Sequence, residues 1–233
     1  MFNRKIVLEC VTYEPYVHEF AQIQKASEFI PEWYSKMKGR YDSEVFTAST
    51  IKKCPALQNA MTKGFILPMW TDLAIKMTEH DDGWGYEYQF ADGKTENHDH
   101  DSRQWEGKWN PKTHAHMKWV SPWYFNCSHD IQWLWQKPYY HDANDDVDII
   151  QGIVEFKHQS TSNINCMVKG KDKVFVKHGT PLVQLIPLTD KEVHIKHTLV
   201  NSKEEWERHN KMPIFTFQNN YKTVVKKRCP FHK

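Results

Sequence analysis

The sequence predicts a mainly β protein, a sandwich or distorted barrel of jelly-roll or β-clip type with flanking helices, on three observations. The first is strict alternation. Leu73, Ile75 and Met77 alternate with Ala74, Lys76 and Thr78, and Trp84, Tyr86, Tyr88 and Phe90 alternate with Gly85, Glu87 and Gln89. Residues two apart share one face of a strand, and His80-Asp81-Asp82-Gly83 between the runs marks a hairpin turn. The second is the stretch Gly152 to Pro187. Val174 and Val176 precede a turn at Gly179-Thr180, and Leu182, Val183, Leu185 and Ile186 follow it as a buried apolar run, which reads as a further hairpin. The third is bulk: 14% of the 233 residues are aromatic, ten of them Trp, enough to fill a substantial core.

In chain order, Lys5–Thr12 is rich in β-branched residues and predicts a strand. His18–Met37 carries Phe20, Ile23, Ala26, Phe29 and Ile30 at helical spacing, with Pro31 breaking or restarting the helix. Ala56–Lys63 predicts a short helix: Leu57, Ala60 and Met61 share a face, Pro55 suits the first turn and Gly64 suits the position past the end. Beyond the first hairpin, Ala115, Met117 and Trp119 claim the buried face of a strand, which leaves His114 and His116 to water. Ser121-Pro122-Trp123 ends that strand, and Ile131, Trp133 and Trp135 line another, facing the same core as Trp84 to Phe90. Lys137–Asp148 is a polar loop, Lys191–Ile195 a strand, and Ser202-Lys203-Glu204-Glu205 the capping box of a last helix. The resulting organisation is one β-rich domain over residues 1–200, with a helical segment at about 18–64, then a C-terminal helix and basic tail over 201–233.

Composition excludes several function classes. A net charge of +2 gives no broad basic field for nucleic acid, and the Trp strands lack the interleaved Lys and Arg of a base-stacking platform. The tail from Lys222 to Lys233 holds five basic residues besides His232, a solvated end or a contact for nucleic acid or a capsid surface. Cysteines at 10, 54, 127, 166 and 229 have no paired spacing and suit a reducing compartment. Cys54, before Pro55, reads as a core thiol at a helix start rather than a nucleophile. No apolar run reaches the roughly 18 residues of a membrane span, and no apolar segment follows Arg4 and Lys5 as in a signal peptide. Neither a Gly-rich phosphate loop nor a Gly-x-Ser-x-Gly elbow is present, and no residue pattern specifies a cofactor.

A set of motifs in fixed order resembles a group of tailed-phage proteins with more distant bacterial relatives. They are Thr50-Ile-Lys-Lys-Cys54-Pro55, Gly64 through Pro68-Met-Trp70-Thr-Asp72, His100 followed by Gln104, Ser121-Pro122-Trp123, Gly152-Ile-Val-Glu155 and Gly179-Thr-Pro-Leu-Val-Gln184-Leu-Ile-Pro187. The resemblance covers most of residues 30 to 190. It implies a phage-encoded soluble protein in the host cytoplasm and supplies no activity or catalytic residue.

The stretch 152–187 also resembles the late motifs of the dUTPase and dCTP-deaminase family, which would set Glu155 in the acidic, water-activating position as a general base. The departures are that His158 replaces an aromatic residue, Lys137-Pro138-Tyr139-Tyr140 stands for the phosphate loop, and no glycine follows Gly179 to build the closing arm.

Fourteen histidines include two His-x-His pairs, His98 with His100 and His114 with His116, and two such strands side by side would suit a cupin-like Fe or Mn site. The bland account, solvated histidines and no metal, is the stronger. The leading expectation is a small-molecule binding protein, a homo-oligomer or a monomer. Its pocket collects Glu155 as the catalytic carboxylate with His100, Gln104, Trp123 and Gln184 as ligand-binding groups. Gly152 and Gly179, as tight turns or close approaches, would bring Glu155 beside Gln184. The alternatives are a virion structural or interaction protein, a cupin-like oxygenase and a dUTPase-related nucleotide hydrolase.

Overall fold

The computed structural model describes residues 5–43, 47–81, 83–105, 107–110, 112–141, 145–160 and 162–209. The basic tail and residues 142–144 of the polar loop lie outside the described residues. In chain order the strands begin with β1 (Ile6–Thr12), β2 (Gln24–Lys25), β3 (Arg40–Asp42), β4 (Thr47–Ser49), β5 (Phe65–Pro68) and β6 (Leu73–His80). Next come β7 (Gly83–Phe90), β8 (Asn97–Asp99), β9 (His114–Trp119), β10 (Tyr124–Cys127), β11 (Trp133–Gln136) and β12 (Val147–Ile149). The last are β13 (Gly152–Val154), β14 (Ile164–Lys169), β15 (Lys173–Val176), β16 (Pro181–Pro187) and β17 (Val193–Leu199). Among the described residues four short helices flank them: α1 (Pro15–Phe20), α2 (Glu32–Lys36), α3 (Pro55–Thr62) and α4 (Lys203–Arg208).

The chain is a mainly β sandwich with flanking helices, and among the described residues its sheets do not close into a barrel. The sheet orders are β10-β1-β17, β13-β11-β16-β5-β2, β12-β14-β9-β8 and β15-β6-β7, with β3-β4 as a separate ribbon. All four larger sheets contribute to one apolar core, in which Trp70, Trp119, Trp123 and Trp133 are fully buried. No helix among the described residues is long and apolar enough to cross a membrane.

The stretch 152–187 does not form the expected hairpin. β15 pairs with β6, whereas β16 pairs with β5 and β11. The segments β5–β6 and β15–β16 therefore run antiparallel side by side, and both pass from one sheet to another at the same corner. There Gly179 N donates to Met69 O and Met69 N to Thr180 O, both at 2.8 Å. Gly179 has φ +77°, so a side chain there would be strained although the space is open. A Cβ on Gly152 would meet nothing within 4 Å, and its backbone has no positive φ, so neither reason for glycine applies there.

Other expectations hold or shift for identifiable reasons. In β6 the alternation is strict, Leu73, Ile75 and Met77 being buried. Ile131 packs against the core in which Trp133 and Trp135 are buried. Across the hairpin Phe90 is buried and Trp84 and Tyr86 pack against the core, but Tyr88 is 39% exposed. β7 is the edge strand of its sheet. The expected helix over 18–37 is broken into α1, β2, a 3-10 turn at Ala26–Glu28 and α2. β2 adds to β5 as an edge strand, and Pro31 stands just before α2. α3 begins at Pro55 and is followed by Gly64 at φ +82°. Cys54, expected in the core, is exposed at the start of that helix. In α4 the Ser202 hydroxyl accepts from Glu205 N at 3.2 Å, and Glu205 answers by accepting from Asn201 N at 3.0 Å.

His116 is not on a solvent face. The segment after β8 folds back over the outer side of the four-stranded sheet, setting the rings of His100 and Trp105 at 4.8 and 6.3 Å from that of His116. His116 is 3% exposed, and Met167, its neighbour on β14, is fully buried. Both faces of β9 are thus covered.

Candidate functional site

The sheet-switching corner forms one wall of a cleft of about 500 Å³. α1 with Tyr13 and Glu14 before it, the loop from β7 to β8, Ser121-Pro122 and α4 form the others. The local sequence explains the shape. Trp70-Thr71-Asp72 cannot continue β5 because the chain turns there to enter β6. Trp70 goes inward as a buried floor, and its indole N–H donates to Thr95 Oγ1 at 2.9 Å. Thr95 in turn donates to Asp92 Oδ2 at 2.6 Å, while Asp92 Oδ1 accepts the backbone N–H of Lys94 and Thr95 at 3.0 and 3.1 Å. Asp92 is thus spent on shaping its own turn. Lys94 crosses the cleft to Glu14 at 2.9 Å.

Two polar groups in the cleft remain incompletely used. Asp72 Oδ1 accepts the His178 backbone N–H at 2.7 Å, and among the described residues its carboxylate makes no other hydrogen bond. His178 Nε2 is buried with no hydrogen-bond partner among them, and its ring lies 5.8 Å from that of Tyr16. Aromatic side chains supply the apolar part of the wall. Tyr13 and Trp206 rings meet at 5.2 Å, and Trp206 is fixed by stacking on Tyr124 at 3.8 Å and by donating to Val11 O at 3.0 Å. Burial, and then the neighbouring Glu14 carboxylate, push the Tyr13 hydroxyl up from its ordinary value. Four carboxylates line the cleft against two lysines, which disfavours an anionic ligand. A second depression of about 510 Å³ lies beside Glu9, Lys196 and Arg208. Its Glu9 carboxylate is already taken by Lys196 and Thr198 at 2.8 and 2.9 Å.

The five residues expected to share a pocket do not meet. His100 and Gln104 do come together, Nδ1 to Oε1 at 3.1 Å. Trp123 is fully buried, its indole N–H donating to Ala21 O at 3.3 Å and its ring 5.6 Å from His197, so it is a core residue. Gln184 is also buried. Its amide donates to Ala60 O and Lys63 O at 2.9 and 2.8 Å, and its oxygen accepts from Tyr139 N at 3.2 Å. It closes the end of α3, with both amide hydrogens used and its oxygen engaged by the Tyr139 backbone. Glu155 accepts from Gln132 at 3.1 Å, not from Gln184, and shares its surroundings with Asp130 and His158. The Gly152 to Gln184 arrangement that would have set a general base beside an amide is therefore absent.

Of the two His-x-His pairs, His100 and His116 come together, while His98 opposes Lys118 in the antiparallel β8–β9 register, so the pairs are staggered. Among the described residues, however, they gather no set of three ligand atoms. That condition is met by Asp130, Glu155 and His158. Tyr13, Tyr16, Asp72 and His178 were missed as site residues from sequence. The available signal was the break Trp70-Thr71-Asp72 between two apolar runs, where a strand end places polar groups at the mouth of a cleft.

Comparison with family models, curated proteins and solved structures found no match to this chain.

Proposed function

We propose that this protein binds a small neutral or cationic ligand in the corner cleft, one with a flat apolar face and hydrogen-bond donors, such as a sugar or an amine. The observation that carries this reading is the pairing of incompletely used polar groups with aromatic walls. Asp72 and the buried Nε2 of His178 stand beside Tyr13, Tyr16 and Trp206. A ligand that donates to Asp72 and exchanges a hydrogen bond with His178 would complete both, and the rings would cover its apolar face. The excess of carboxylates speaks for this class and against a nucleoside triphosphate. The resemblance to tailed-phage proteins supports a role in the host cytoplasm during infection.

A thermal-shift panel of monosaccharides, polyamines, nucleosides and nucleotides tests the proposal. A hit should bind in calorimetry, and Asp72→Asn should weaken it about tenfold or more, in line with loss of a charged hydrogen bond. Binding unaffected by both Asp72→Asn and Tyr16→Ala would place the ligand elsewhere and overturn the reading. So would a panel in which only anions bind.

A further inference from the structure

We infer that Asp130, Glu155 and His158 form a binding site for a divalent first-row transition cation, on a different part of the molecule from the cleft. Each of the three offers a ligand atom, and these atoms all lie within 4.8 Å of one another. In a site with metal–ligand bonds near 2.1 Å, ligand atoms stand roughly 3 to 3.5 Å apart, so closure needs only a small side-chain rotation. Asp130, the most exposed of the three, has the room to make it.

The framework around the cluster is already fixed. His158 N and Gln159 N donate to Glu155 O at 2.9 and 3.0 Å, a helical turn that sets the Glu155 and His158 side chains on the same side. Between them Phe156 is buried, its ring 4.9 Å from Phe125 and 5.5 Å from Trp133. Cys127 N donates to Phe156 O at 3.2 Å and Phe125 N to Ser160 O at 2.8 Å, tying both ends of the turn to β10. Asp130 arrives from the neighbouring strand entry, because Trp133 of β11 pairs with Val154 of β13.

Two further contacts suit a metal. His158 Nε2 is buried with no hydrogen-bond partner among the described residues, a nitrogen lone pair or N–H shut away from water with nothing to meet it. Gln132 Nε2 donates to Glu155 Oε1 at 3.1 Å, the kind of outer contact that orients a ligating carboxylate. Lys157 stands 3.9 Å from Asp130, at the outer limit of an ion pair, and its exposed side chain can swing to solvent. Two carboxylates with one imidazole favour Mn²⁺, Fe²⁺, Co²⁺ or Zn²⁺ over Ca²⁺ and Mg²⁺, which take oxygen ligands. Three protein ligands also leave coordination positions open.

The test is titration of the purified full chain with Zn²⁺ by calorimetry and with Mn²⁺ by electron paramagnetic resonance. At least one of the two ions should bind at one per chain above any background from the other histidines. That site should vanish in Asp130→Asn and in His158→Gln, weaken about 10- to 100-fold in Gln132→Ala, and persist in His114→Ala. If circular dichroism shows His158→Gln unfolded, Asp130→Asn decides, since that side chain is exposed. Absence of stoichiometric uptake of either ion overturns the inference, and so does a site that survives Asp130→Asn. Neither result bears on the cleft.

Discussion

The carboxylate of Asp72 accepts the backbone N–H of His178 at 2.7 Å and so ties together two chain segments at the point where both leave one sheet for another. A side chain from the start of β6 thereby sets the angle of the turn that leads into β16. Asp72→Ala should destabilise the fold by about 1 kcal/mol, an exposed charged hydrogen bond being worth less than a buried one. Asp72→Asn, which keeps an acceptor, should cost less. Chemical denaturation of both variants checks the order.

The glycines separate two kinds of backbone demand. Gly179 at φ +77° has open space where a methyl group would stand, so Gly179→Ala should cost about 1 kcal/mol from conformation alone. Gly64 at φ +82° would drive its Cβ to 2.1 Å from Leu185 O. Gly64→Ala should cost about 3 kcal/mol or more, or give no folded protein, because backbone must move as well. Equal losses for the two would contradict the close approach of Gly64 to β16.

Gln184 should behave as a structural residue. Gln184→Leu leaves the carbonyls of Ala60 and Lys63 without their buried donor, at a cost of about 1–3 kcal/mol. Ligand binding in the cleft, measured on the folded fraction, should be unchanged. A selective loss of binding with the melting temperature intact would restore it to a site.

His116 predicts an acid-sensitive fold. Burial first, then the neighbouring His100 and Lys118, push its imidazole down to about 4, with only the Asp101 backbone acting the other way. The folded state holds the ring neutral while the unfolded chain protonates it below about pH 6.5. Its contribution is therefore fully present above pH 6.5, is lost as pH falls towards 4, and does not change further below that. The loss is at most on the order of 3 kcal/mol, reduced by solvent screening of the ring. His116→Leu should flatten the stability profile between pH 6.5 and 4, whatever it does to stability at neutral pH. A profile as steep as the wild type would show that other groups set the slope.

Strands were legible where one face is buried and the other wet, as at Leu73 to Thr78, because burial then writes a period of two into the residues. Helix ends were legible at Pro55, Gly64 and Ser202, where the caps are local chemistry. Pairing partners were not. Val174, Val176 and the apolar run after Gly179 look the same whether the two strands meet each other or two others, since the choice depends on β5 and β6 a hundred residues earlier. The fate of His116 was hidden for a similar reason: Trp105 and His100 cover it from a segment whose own composition reads as polar. The candidate cleft was half legible. Trp70, Asp72, Ser121 and Pro122 stood in motifs noticed for their order, but the grouping with Tyr13, Tyr16 and Trp206 depends on how α1 and α4 pack.

The place of β1 in its sheet bears on the order of events as the chain is made. It lies between β10 and β17, and the parallel strand β17 pairs with it along Ile6 to Thr12. The side-chain bond from Lys196 to Glu9 joins residues 187 apart in sequence. A nascent chain that has emerged only as far as β16 holds β1 with one bare edge, its row of N–H and C=O groups open to any passing strand. Closing so long a loop is slow compared with forming the β6–β7 hairpin. β1 is thus synthesised well before its partner β17 and waits for that strand to complete its neighbours, and the interval between is when its bare edge is open to misassembly.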